Sequence, residues 1–134
     1  MKSGEHFLLS VPVVGWVLAR TDERSPRRLA ALVAYGLGLG VLIDLDHFVL
    51  ARLRVGDWHH LTDCLRDPKR VFVDQENLFE GTGEMASLRL LSHVLIGGAL
   101  IAIARRVSGP VGKLTERVLF VHVLADLLRD NGIV

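Results

Sequence analysis

Three short stretches of the chain pair imidazole with carboxylate at helical spacing. Asp44 and His47 are three apart in DLDH (44–47). His59 and Asp63 are four apart in HHLTD (59–63), and His122 and Asp126 are four apart in HVLAD (122–126). Residues three or four apart share one face of a helix. His6 and His93 add an imidazole each, within apolar surroundings. Imidazole and carboxylate together suit a divalent transition metal, with zinc foremost and manganese or iron as alternatives. Asp46 points away from Asp44 in an ideal helix. It is therefore expected to serve a second ion or to hold a liganding histidine in place. The one cysteine, Cys64, excludes an internal disulfide and a cysteine-based zinc site, and reads as a small semi-buried side chain. His60 reads as solvated.

Four apolar segments must position these groups, and strand alternation is missing from all of them. The spacing predicts helices over about 4–20, 26–53, 83–106 and 110–129, in one domain covering 1–134. Ser25-Pro26 marks the start of the second, with Ser as cap and Pro in the first helical position. Thr82 is the cap candidate for the third, which Ser108-Gly109-Pro110 breaks. Asn131-Gly132 ends the fourth. The N-terminus has the flavour of a signal peptide, Lys2 followed by apolar residues from Phe7 to Ala19. No small-x-small cleavage site follows, so it is read as a retained first helix. The connector 54–82 should carry one short amphipathic helix over 57–67. Asp57 would cap it, Trp58, Leu61 and Leu65 would form its apolar side, and Asp67-Pro68 would stop it.

Composition gives these helices a setting. Half of the 134 residues are hydrophobic and mean hydropathy is +0.36. Leu, Val, Ala, Ile and Gly with few aromatics suit close-packed helices in lipid, and Gly36, Gly38, Gly40, Gly97 and Gly98 read as packing positions. A net charge of +1 carries no nucleic-acid reading. The expected architecture is an all-α, four-helix transmembrane bundle, multi-pass in the cell membrane. With helices alternating in direction, His6, Asp44, Asp46, His47, His93, His122, Asp126 and the connector histidines fall at one end. Arginines crowd the other two loops (Arg20, Arg24, Arg27, Arg28; Arg105, Arg106, Arg117), which puts those loops in the cytoplasm and the histidine end outside.

The motifs EHF (5–7), DLDH (44–47), HHLTD (59–63), LSH (91–93) and HVLAD (122–126) occur in an order that resembles the membrane-bound metal-dependent hydrolases, a family long catalogued as a domain of unknown function. More distantly they look like zinc-dependent phospholipase C, and the chain as a whole is similar to small archaeal membrane proteins. The chain departs from the family pattern at Ile43, where a proline often stands, and at Asp63, which takes a histidine's place. The resemblance implies a hydrolase acting on a phosphoester or lipid-like substrate at the membrane surface. His6, Asp44, His47, His93, His122 and Asp126 are then the metal set, with His59, Asp46 and Asp63 as catalytic candidates and a carboxylate, Asp46 or Asp63, as general base. Two alternatives stand beside this: a non-enzymatic metal-binding or structural membrane protein, and a soluble helical bundle with a polar core. Oligomeric state, and whether Asp74 and Glu76 fold back to the site, are left open.

Overall fold

The computed structural model describes residues 3–107 and 109–133, apart from the side chain of Glu76. Lys2 and Ser108 lie outside the described residues. All regular elements among the described residues are helical. The first long helix, α1, is Ser3–Leu18. The second is a rod in three parts: α2 (Pro26–Leu42), a 3-10 turn (Ile43–Leu45) and α3 (Asp46–Val55). The connector folds into α4 (His59–Arg66), α5 (Arg70–Val73) and α6 (Gln75–Leu78). The long helices α7 (Ala86–Ala104) and α8 (Pro110–Asp130) complete the chain.

Local chemistry explains most helix ends. The Ser25 hydroxyl accepts from the Arg28 backbone N–H at 3.5 Å, and Pro26 opens α2 with the fixed φ a first turn needs. Gly56, at φ +90°, closes α3 in the left-handed conformation that only glycine adopts freely. Asp67 ends α4 just before Pro68, and Asn131 ends α8. Thr82 does not cap α7. Its hydroxyl donates to the Phe79 carbonyl at 2.8 Å inside the connector, and the helix starts later, after Met85.

Helix α8 is the central element, packing against α1, α2 and α7. Val14, Val17, Leu32, Leu114 and Val118 form one apolar cluster toward the arginine-rich loops. Phe48, Cys64 and Leu78 form a second beneath the connector. The interior between them is polar, and among the described residues twelve buried side chains are polar or charged, against thirteen hydrophobic ones. The large apolar residues point outward instead, among them Leu8, Val49, Leu91, Leu95, Ile103 and Phe120, each at least half exposed. Among the described residues two helices, Pro26–Val55 and Ala86–Ala104, are long and apolar enough to cross a membrane, against the four expected. At about 1.5 Å per residue, α8 is ~31 Å long and α1 ~24 Å, against a hydrocarbon core of ~30 Å.

Glycine sets the closest approaches. A Cβ on Gly36 would lie 2.6 Å from Val14 Cγ2, and one on Gly40 only 2.1 Å from Ser10 Oγ. Gly97 has Ile43 and Leu119 in ordinary contact. Gly38 and Gly98, expected at the same kind of contact, meet no neighbouring helix within 4 Å.

Candidate metal centre

The four long segments deliver their histidines and aspartates to one place. His6 comes from the first turns of α1, Asp44 from the 3-10 turn, His47 from α3, His93 from α7, and His122 and Asp126 from α8. All six are buried, none more than 4% exposed. They form three overlapping ligand sets: His6–Asp44–His122, Asp44–His47–His93 and His93–His122–Asp126. These are the six positions that the sequence spacing and the motif resemblance select.

Direct hydrogen bonds hold part of the cluster. Asp126 bridges His6 Nε2 and His93 Nδ1, each at 3.1 Å, and Asp46 Oδ1 lies 3.2 Å from His93 Nε2. The His122 Nδ1–H donates to the Gly40 carbonyl at 3.0 Å, so Nε2 presents its lone pair to the interior. Nε2 of His122 has no hydrogen-bond partner, and neither do Asp44 Oδ1, His47 Nε2 and His6 Nδ1. Each such orphan costs about 1–3 kcal/mol. Yet Asp44 Oδ1 is 3.3 Å from His122 Nε2, 3.7 Å from His93 Nε2 and 3.8 Å from His47 Nε2. Ligands held ~2.0–2.1 Å from a tetrahedral zinc lie about 3.4 Å from one another. The donor set and its spacing therefore fit a divalent cation centred near Asp44.

Asp46 corrects an expectation. It does not point away from Asp44: both carboxylates approach His47 and His93. The reason is the 3-10 turn. Two residues apart subtend about 160° in an α-helix but about 120° in a 3-10 helix, so both side chains reach the same side. Asp46 is fixed in turn by the Ser92 hydroxyl.

The connector residues fall elsewhere. His59 and Asp63 lie on the outer face of α4. The His59 ring and backbone N–H both pair with Asp57, and Asp63 pairs with Arg66 at 3.5 Å. The cluster does not include them. Asp57 accepts from His59, one position short of a cap, and this bond holds its carboxyl below the usual range. The buried face of α4 carries His60 and Cys64, while Trp58 and Leu65 are exposed. His60 is thus not solvated: its Nδ1–H donates to the Leu78 carbonyl at 2.7 Å. Cys64 is buried, as a small apolar-like side chain should be, and burial raises its thiol pKa. Asp74 does not fold back to the cluster, being engaged with Arg70 and Asn77.

Four supporting groups are given no role at the site by the sequence reading. Ser3 Oγ donates to Asp44 Oδ2 at 2.7 Å. The Gln75 carboxamide accepts from the Ser3 backbone N–H at 2.9 Å and faces His47 Nδ1 at 3.3 Å. Ser92 and the Gly40 carbonyl hold Asp46 and His122. Their only signal is position: Ser92 precedes His93 directly, and Gln75 lies between Asp74 and Glu76.

Comparison with models of known protein families, with curated proteins and with solved structures gave no match.

Proposed function

We propose that this chain is a multi-pass membrane protein with a metal-dependent hydrolytic centre, acting on a phosphoester or lipid-like substrate at the outer membrane surface. One observation carries the reading: four buried ligand atoms make no hydrogen bond in a cluster whose Asp44–His122 spacing matches ligands of one ion. Asp44, His47 and His93 would hold one ion, and the overlapping sets His6–Asp44–His122 and His93–His122–Asp126 are the neighbouring places for an ion. A divalent cation supplies, when bound, a water acidic enough to ionise near pH 7. Asp46 is placed beside His93 to receive a proton, and Ser92 keeps its carboxylate oriented. The Gly40 carbonyl fixes which His122 nitrogen faces inward.

The membrane setting is supported by the inverted distribution of polarity. In a soluble bundle a helix as apolar as α7 would be mostly buried, but only 11% of its apolar window is covered by the chain. Alternation of helices and the arginine-rich loops support the outward orientation of the cluster.

Elemental analysis of detergent-purified protein tests the reading. One or two equivalents of a transition metal, lost in His122→Ala and Asp44→Ala, are expected. A metal-free wild type after reconstitution with zinc or manganese would refute it. A second reading, a metal-free polar network that locks the helices, is favoured by the direct Asp126 bonds to His6 and His93, and that same result would select it.

A further inference from the structure

The histidines of the cluster are not equally ready for an ion. His122 gives its Nδ1–H to the Gly40 carbonyl, which leaves the Nε2 lone pair facing inward. His6 sets Nε2 against Asp126 Oδ1 at 3.1 Å, so its proton sits there and Nδ1, buried without a hydrogen-bond partner, keeps the lone pair. His47 is the exception. Its Nδ1 lies 3.3 Å from the carboxamide nitrogen of Gln75. The other end of that carboxamide fixes which way it points: Oε1 accepts from the Ser3 backbone N–H at 2.9 Å, and a backbone N–H can only donate. The Gln75 amide N–H therefore donates to His47 Nδ1, and the neutral ring carries its proton on Nε2. Nε2 is the nitrogen that faces the carboxylates. It stands 3.8 Å from Asp44 Oδ1 and 3.7 Å from Asp46 Oδ1, too far for a hydrogen bond, and makes none elsewhere. A ring nitrogen that carries a proton has no lone pair to give a cation. For His47 to ligate through Nε2, the proton must sit on Nδ1 and Gln75 must turn Oε1 toward it. The amide nitrogen would then meet the Ser3 N–H, donor against donor. Ser3 opens α1, where the first N–H groups find no partner within the helix. Gln75 has space on one side for this turn, because it lines, with His47, a cleft of about 300 Å³ beneath the connector.

We infer that Ser3 and Gln75 form a latch that holds His47 in the tautomer unable to ligate, so that an ion at Asp44–His47–His93 turns the Gln75 carboxamide over and frees the start of α1 from the connector. Gln75 is thus a positioning residue, acting through His47. The inference rests on the proposed metal reading for the ion, but not for the tautomer. It makes the contact between α1 and the connector report whether that place is filled.

The test is NMR of the full chain in detergent micelles, with its histidine rings labelled in heavy nitrogen and its metal removed by EDTA. The ring missing from the spectrum of His47→Asn identifies His47. Its proton is expected on Nε2 in the wild type and on Nδ1 in Gln75→Glu, whose carboxylate accepts from Ser3 and His47 together. Zinc is then added, its affinity is read by competition with a chelator, and exchange of the Ser3 amide in heavy water is followed. Gln75→Glu should hold zinc about tenfold more tightly or better, as an orienting carboxylate behind a liganding histidine does. Ser3 exchange should rise about tenfold or more when zinc saturates the wild type, and stay unchanged in Gln75→Glu. A proton on His47 Nδ1 in the metal-free wild type, in a neutral or a charged ring, would overturn the inference. Tighter zinc binding in Gln75→Glu with the proton still on Nε2 would assign the gain to added charge and overturn it too. Zinc uptake that leaves Ser3 exchange unchanged in the wild type would point to the His6–Asp44–His122 place, overturning the latch and keeping the metal reading. No zinc in either the wild type or Gln75→Glu would overturn the metal reading and the coupling with it.

Discussion

Replacing Gly40 with alanine should unseat both the α1–α2 contact and the candidate metal centre. The new methyl would lie 2.1 Å from Ser10 Oγ and 3.1 Å from Ser10 Cβ, where ordinary carbon contacts begin near ~3.5 Å. The serine hydroxyl cannot simply turn aside, because it donates to the His6 carbonyl at 2.8 Å. Giving up that bond costs about 1 kcal/mol. Rotation does not relieve the Cβ contact, so α1 must also move off α2, an overpacking cost of about 1–3 kcal/mol. The total is about 2–4 kcal/mol. The same movement loosens the Gly40 carbonyl from His122 Nδ1, so metal affinity should drop by about tenfold or more, as when other orienting partners of a ligand are disturbed. Unfolding in mixed micelles by titration with a denaturing detergent measures the first quantity, and competition with a chelator the second. Ser10→Gly removes the atoms on the other side of the contact. The Gly40→Ala/Ser10→Gly pair should recover most of the loss, showing as a coupling energy in a double-mutant cycle. Gly38→Ala is the control: its methyl meets only Leu42 of the same rod, at 3.8 Å, so the variant should be neutral or up to ~1 kcal/mol more stable. A Gly40→Ala protein as stable as wild type, or a pair no better than the sum of its parts, would refute the packing argument.

Two further outcomes follow from buried groups. Asp126→Ala removes the carboxylate shared by His6 and His93, and stranding those partners should cost about 3–5 kcal/mol in the same unfolding assay. Cys64 should react slowly with a maleimide in the folded protein and fast once unfolded, because its thiol is buried and its pKa raised by burial. The sign follows from linkage. The thiol's contribution to stability is full below the unfolded value of about 8.5 and is lost as pH rises through the higher folded value. Folded-state labelling should accelerate over that same rise, and a rate equal to that of free cysteine at pH 8 would contradict the burial.

The helices and much of the His/Asp cluster were legible in the sequence for the same reason: both depend on spacing along one segment. Asp44 with His47 and His122 with Asp126 need only one helical turn each to share a face, and alternating helices then bring the faces together. Spacing says that two residues share a face but not where the face turns. His59 and Asp63 have the same spacing as His122 and Asp126, yet their face looks outward, because the i,i+4 partners His60 and Cys64 fit beneath it against Leu78 and Phe48. The supporting groups were illegible for a related reason. Ser3, Gln75, Ser92 and the Gly40 carbonyl are ordinary residues until tertiary approach selects them. Only the direction of Asp46 differs from the expectation, because a single 3-10 turn changed the angular step, and its bond to His93 is one of the two roles expected of it.

That turn reaches beyond the two aspartates. Three residues advancing about 120° each, in place of about 100°, put α3 roughly 60° out of phase with α2. Before the turn, the rod shows Gly36 and Gly40 to α1 and α8. After it, Phe48 and Ala51 are buried, α3 packs against α7 and α4, and Phe48 lies beneath the connector. The rod thus works as two helices of different phase joined at a seam, and Asp44 sits in the seam itself. Adding or deleting one residue there would rephase α3 by a whole helical step while leaving the α1–α2–α8 junction in register, and would carry Asp46 and His47 away from His93.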